Sequence, residues 1–162
     1  MTDEQLTSLS AQLGAALKGR GMMVATAESC TGGGIAEAIT RTPGSSAWFD
    51  CAFVTYSYEA KSSMLGVPRD TLVDFGAVSQ ETAREMVDGA IARSRAQVAV
   101  AVTGIAGPDG GMPDKPVGTV WFAWKFPKKP IVSEVCHFMG DRHSVRNQTV
   151  IHALQKLLHN LV

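Results

Sequence analysis

The run Thr26-Ala27-Glu28-Ser29-Cys30-Thr31-Gly32-Gly33-Gly34 sets a hydroxyl and a thiol between a short apolar segment, Met22 to Ala25, and a helix-like one, Ile35 to Thr40. A strand that ends on Ser29 and Cys30 and turns through glycines into a helix presents a nucleophile beside backbone N–H groups. Those N–H groups carry the positive end of the helix dipole and suit an oxyanion or a bound anion. Nucleophile plus anion hole is what acyl transfer requires. The same residues also make an ordinary glycine-rich βα turn with a capping hydroxyl, so the chemistry rests on finding a partner for Ser29.

A serine hydroxyl does not attack at neutral pH without a base. The four histidines, His137, His143, His152 and His159, all fall in the last strand and last helix. His152 and His159, seven residues apart, fit a surface pattern, the histidines read as surface or partly buried, and a Ser-His-Asp triad is disfavoured. No pair of candidate ligands has local metal spacing, so no zinc site is read. Lysine is the remaining partner. In Tyr56-Ser57-Tyr58-Glu59-Ala60-Lys61 the chain runs off a strand end into a helix, with Lys61 one turn beyond Ser57. If that helix faces the same crevice, the Lys61 amine approaches Ser29 and Tyr56 flanks it. Burial would lower the lysine pKa and let it take the serine proton, a pairing used on other folds. Lys61 also reads as a solvated helix lysine. Cys30 is a rival nucleophile, since a thiol at a helix N-terminus can be acidified.

Two further groups could hold an anion. The segment from Thr103 to Pro116 is crowded with glycine and proline and offers N–H groups at Gly104, Gly107, Gly110 and Gly111, with the cation Lys115. Its spacing matches neither a Walker loop nor a dinucleotide fingerprint. Arg142 and Arg146 stand one turn apart at the start of the last helix, where the dipole disfavours them, and could clamp a phosphate or carboxylate.

The elements that must position these groups follow from periodicity. Leu6, Leu9, Leu13, Ala16 and Leu17 share one face of a helix over 3–18, with Thr2 and Gln5 at capping-box spacing. Strands are expected over 22–27, 52–56, 98–102, 118–125 and 131–138, the last two joined as a hairpin by the Pro127–Pro130 turn. Helices are expected over 32–40, 58–65, 70–75, from the Ser79 cap through Ile91, and from the Asp141 cap to the end. Alternation of strand and helix followed by a hairpin gives an α/β protein: a three-layer α/β/α sandwich with a mostly parallel mixed sheet, as one domain over 1–162. Ligands then bind beyond the carboxyl ends of the parallel strands. Glu28-Ser29, Tyr56-Ser57 and Thr103-Gly104 converge there.

With 15 basic and 15 acidic residues in 162, no global field draws in nucleic acid, and no direct DNA or RNA partner is expected. No apolar run reaches membrane-spanning length and no leader is read, so a soluble, cytoplasmic chain is expected. Three cysteines, Cys30, Cys51 and Cys136, fit neither a disulfide framework nor a zinc pattern.

The blocks Thr26 to Gly33, Pro43-Gly44-Ser45-Ser46, Val54 to Ser57 with Lys61, Gly76 to Ser79, Thr103 to Pro108, Lys115 to Thr119 and Gly140-Asp141-Arg142 occur in that order. Together they resemble the CinA C-terminal family, whose characterised members are nicotinamide-nucleotide amidohydrolases. The resemblance spans nearly the whole chain and is that of a stand-alone form without the additional N-terminal domain some members carry. It implies hydrolysis of the carboxamide of nicotinamide mononucleotide without metal or cofactor, a small-molecule nucleotide substrate, and a homo-oligomer. Carried over by residue, Ser29 is the nucleophile, Lys61 its base and Tyr56 an aid to proton transfer. The turn Cys30, Thr31, Gly32, Gly33 supplies oxyanion donors, Thr103, Gly104, Ala106 and Gly107 bind the nucleotide, and Arg142 meets its phosphate. Tyr58, where related sequences often carry a smaller polar residue, departs from the pattern and affects pocket shape. The competing reading from another class is a non-catalytic nucleotide-binding or competence- and DNA-damage-associated module.

Overall fold

The computed structural model describes residues 2–162, Thr2 by its backbone only, so the capping role read for the Thr2 side chain lies outside the described residues. Five strands, β1 (Val24–Glu28), β2 (Phe49–Val54), β3 (Val98–Gly104), β4 (Thr119–Lys125) and β5 (Val132–His137), form one sheet in the order β2-β1-β3-β4-β5. The first three strands are parallel, and β4 pairs antiparallel with both β3 and β5. Only β4 therefore runs against the rest, and the expected hairpin closes the sheet. Six α-helices flank it: α1 (Thr2–Gly19), α2 (Gly34–Ile39), α3 (Tyr58–Leu65), α4 (Arg69–Phe75), α5 (Gln80–Ala92) and α6 (Arg142–Leu161).

The two faces are built to different thickness. Val98, Val100 and Val102 of β3, with Phe122 and Trp124 of β4, pack against the leucines of α1 and α6 and against Ile35 and Ile39 of α2. The alternate residues Ala99, Ala101 and Ala123, with Ala27 of β1, meet α5 through Ala83, Met86, Val87 and Ala90, and Leu65 of α3 joins this core. Strand residues alternate between faces, so the valine positions meet a thick layer and the alanine positions a close one. Close approach continues outward: a Cβ at Gly89 of α5 would collide with the Leu65 carbonyl oxygen of α3.

Helix starts are capped as the sequence suggests for α5 and α6. Ser79 accepts from Thr82 N–H at 3.2 Å and Asp141 from Ser144 N–H at 2.9 Å. Ser57 caps α3 in the same way, accepting from Ala60 N–H at 3.0 Å. The strand read over 22–27 is displaced by about one residue at its end and includes Glu28, and the second lies at 49–54, earlier than expected. The long glycine-rich segment is a closed excursion: Ile105 N–H donates to Thr119 O at 2.9 Å and Gly118 N–H to Ile105 O at 2.8 Å, stapling its base. Among the described residues no helix is long and apolar enough to cross a membrane.

Candidate active site

Because β1, β2 and β3 are parallel and in register, with Glu28 opposite both Val54 and Val102, their carboxyl ends open on one edge. A cleft of about 260 Å³ lies there, with Ser29, Cys30, Lys61, Tyr56, Thr103 and Arg142 among its walls. Lys61 Nζ lies 3.1 Å from Ser29 Oγ and donates to the Thr55 carbonyl at 2.9 Å. Its side chain is among the largest fully buried ones in the protein. The cause is local: Ser57 fixes the first turn of α3, and Lys61, one turn in, faces inward beneath the end of β2. Burial without a carboxylate partner pulls the Lys61 pKa down to about 8.

The turn after β1 is organised by Glu28, whose role the sequence did not disclose. The carboxylate is fully buried and accepts from Thr31 Oγ1 at 2.6 Å, Thr26 Oγ1 at 3.0 Å, and the N–H groups of Ile35 and Ala36 at 2.9 Å each. The first-turn donors of α2 are thus engaged by the chain's own carboxylate rather than left for a bound anion, which corrects the expectation of a free helix N-terminus. Gly32 and Gly33 both have positive φ, 58° and 100°, a backbone only glycine adopts without strain. The Gly32 N–H turns back to the Ser29 carbonyl at 3.0 Å. Among the described residues the N–H groups of Cys30 and Thr31 are not committed to another residue.

Arg146 does not join Arg142 in a clamp. Its Nε and Nη2 donate to the carbonyls of Cys30 and Thr31, both at 3.1 Å, holding the turn from behind. Arg142, at the first position of α6, spans the cleft mouth, donating to the Gly107 carbonyl at 2.8 Å and to the Tyr56 hydroxyl at 2.9 Å. Tyr56 is exposed, and its hydroxyl is bonded to Arg142, not to Ser29 or Lys61. Of the other sequence-derived site residues, Thr103, Gly104, Ala106 and Gly107 line the cleft with Cys30, whereas Thr31, Gly32 and Gly33 do not. The Thr31 hydroxyl is spent on Glu28, and Gly32 faces the Arg146 guanidinium. Thr103 Oγ1 is itself tied to the Ala77 carbonyl at 2.8 Å. Lys115 reaches the Phe75 carbonyl at 2.9 Å, outside the cleft.

Cys30 is a poor candidate for a thiolate. Burial, reinforced by the neighbouring Glu28 carboxylate, pushes its thiol up to about 12. Among the described residues no histidine lines the cleft. His152, read as surface or partly buried, is half-buried on α6, where its ring packs against Phe122 and its Nε2 meets the Glu134 carboxylate.

The sequence profile of the CinA C-terminal domain matches residues 6–161. The chain belongs to the CinA C-terminal domain family. Within it, the nicotinamide-nucleotide amidohydrolase PncC of Escherichia coli (strain K12) is 54% identical over 157 residues, covering 97% of this chain and 95% of the relative. The protein of the same designation from Pseudomonas putida is 57% identical over 155 residues, covering 96% of each. Among solved structures, the competence/damage inducible protein CihA from Agrobacterium tumefaciens superposes with a TM-score of 0.93 at 47% identity, over 96% of this chain and 94% of that one. The three-layer architecture is therefore the CinA C-terminal fold, and the motif-bearing turn from Thr26 to Gly33 is the segment that places Ser29 over Lys61.

Proposed function

We propose that this chain is a hydrolase that converts the carboxamide of nicotinamide mononucleotide to the carboxylate, giving nicotinic acid mononucleotide and ammonia. The observation that carries the reading is the 3.1 Å approach of Lys61 Nζ to Ser29 Oγ on the cleft floor, in a chain more than half identical to enzymes designated nicotinamide-nucleotide amidohydrolase. In the neutral form, Lys61 donates one hydrogen to the Thr55 carbonyl and receives the Ser29 proton on its lone pair. Ser29 Oγ attacks the carboxamide carbon, and the oxyanion forms against the N–H group of Cys30, which lines the cleft. Lys61 then passes its proton to the leaving nitrogen, the C–N bond breaks, and ammonia departs from an ester on Ser29. Water attacks that ester, Lys61 takes the water's proton and returns it to Ser29, and the free acid leaves. No metal is needed for these steps.

Arg142 is assigned to the phosphate. It stands at the cleft mouth with two neutral hydrogen-bond partners, the Gly107 carbonyl and the Tyr56 hydroxyl, and among the described residues it forms no salt bridge. Tyr56 acts in this reading by holding Arg142 rather than by moving a proton.

The deciding experiment follows ammonia release from nicotinamide mononucleotide by the purified chain with and without a chelator, beside Ser29→Ala. Release insensitive to the chelator and reduced by roughly 10⁴-fold or more in the variant is expected, the scale on which acyl-transfer enzymes lose turnover without their nucleophile. A fully active Ser29→Ala protein would overturn the assignment.

A further inference from the structure

Away from the cleft, β5 and α6 bring together three side chains that the amidase reading does not use. Glu134 and Cys136 stand two residues apart on β5 and so project to the same face of the sheet. His152 of α6 lies over them, and one carboxylate oxygen, the Cys136 Sγ and a His152 ring nitrogen all fall within 4.8 Å of one another. The convergence is on a single atom. Glu134 Oε1 meets His152 Nε2 and lies 3.9 Å from Cys136 Sγ, while Lys156 Nζ holds the other oxygen, Oε2, at 3.5 Å. The imidazole is not free to swing away. Its ring stands edge-on to Phe122, Trp124 and Phe138, with centroids 4.8, 5.9 and 6.3 Å away.

We propose that Glu134, Cys136 and His152 bind a thiophilic divalent cation of the zinc class through one carboxylate oxygen, one sulfur and one imidazole nitrogen, with water completing a tetrahedron. A mixed sulfur, nitrogen and oxygen set suits zinc and its spectroscopic surrogate cobalt(II), and offers too few oxygens for calcium or magnesium. Metal–ligand bonds of about 2.0–2.3 Å put tetrahedral ligand atoms roughly 3.3–3.8 Å apart. The three atoms lie within 4.8 Å of one another, so closing the site takes adjustments of the three side chains toward that spacing. Burial and the Glu134 carboxylate keep the Cys136 thiol protonated at neutral pH. Binding therefore breaks the S–H bond, forms the S–metal bond and releases one proton to solvent. The thiolate and carboxylate together neutralise the dication. Lys156 stays on Oε2 as the outer partner that orients the carboxylate, a recurrent feature of metal sites. Since two ligands come from β5 and one from α6, the cation would pin the outermost strand to the helix that carries Arg142 and Arg146.

The test uses the whole chain, stripped with a chelator and titrated with cobalt(II). One equivalent should bind, with a near-ultraviolet sulfur-to-cobalt charge-transfer band and tetrahedral visible bands, both bleached by competing zinc. Cys136→Ser should abolish the charge-transfer band, Glu134→Gln should weaken binding by roughly tenfold or more, and Cys51→Ser should change neither. Circular dichroism of each variant establishes that it is folded. Absence of the charge-transfer band in the wild type at submillimolar cobalt would overturn the proposal, as would its survival in Cys136→Ser. Amidase activity of Cys136→Ser should match the wild type, so failure of this site and failure of the amidase reading are separately visible.

Discussion

Lys61 and Ser29, from different strand-end segments, meet Nζ to Oγ at 3.1 Å, and the same Nζ is anchored on the Thr55 carbonyl at 2.9 Å. To act as the base proposed for Ser29, Lys61 must be neutral, and its pKa of about 8 leaves it mostly charged at pH 7. We expect kcat/KM for the nucleotide to climb close to tenfold per pH unit below that value and to level off above it. A profile flat from pH 6.5 to 9 would remove Lys61 as the base.

The same burial has a signature in stability. The unfolded chain holds the Lys61 proton up to its ordinary value of 10.5, whereas the folded one releases it near 8. Between those values the unfolded state binds more protons, so folding stability gains as pH rises through the window, and below about 8 the full penalty applies. Lys61→Met loses the Thr55 hydrogen bond at every pH but has no proton to lose. The wild type should therefore gain on the order of 2–3 kcal/mol relative to Lys61→Met between pH 7.5 and 10.5. Denaturant titrations of both proteins across that range measure it, and parallel curves would contradict it.

Glu28 has its own expected cost. Gln at this position would turn an amide NH₂ toward one backbone N–H donor and one threonine hydroxyl, leaving at least one buried donor unmatched. Glu28→Gln should lose about 2–3 kcal/mol of stability by denaturant unfolding. Turnover should fall as well, because the turn carrying Ser29 loses its anchor. An unchanged midpoint with full activity would show that the carboxylate is dispensable.

Arg142 allows the phosphate assignment to be separated from the chemistry. Arg142→Ala should lower kcat/KM for nicotinamide mononucleotide by roughly 10–100-fold, the scale of a lost charge-assisted hydrogen bond. It should do far less to the corresponding riboside, which has no phosphate. Equal losses on both substrates would place Arg142 elsewhere in the reaction.

Much of the fold was legible because periodicity and punctuation agree. The uninterrupted small apolar run at Val98 to Val102 is a central strand, and Ser79 and Asp141 cap the helices they precede. The residues around Lys61 fit a solvated helix lysine as well as a partner for Ser29, because a place one turn into a helix does not say which way the side chain turns. It turns inward to Ser29 Oγ. Glu28 was not legible, because its partners are backbone N–H groups seven and eight residues downstream. A signal existed: Gly32, Gly33 and Gly34 give α2 no capping side chain, so a buried helix start had to find its acceptor elsewhere. Arg142 and Arg146 look equivalent in sequence, yet their side chains diverge to the cleft mouth and to the back of the turn. His152 is partly buried, one of the two environments expected for it, but seven-residue spacing on a helix says which residues share a face, not what covers it. Its cover, Phe122 and Glu134, comes from the two strands of the hairpin.

The alanines on one face of the sheet have no chemistry of their own, yet they set a distance. Ala99, Ala101 and Ala123 fix how low α5 rides, and Gly89 fixes how near α3 lies to α5. Lys61 hangs from α3. Enlarging any of these small residues would lift the scaffold that carries the amine while leaving Ser29, at the tip of β1, where it is. The stature of three alanines and one glycine behind the site is thus the ruler against which the reach of the lysine is measured.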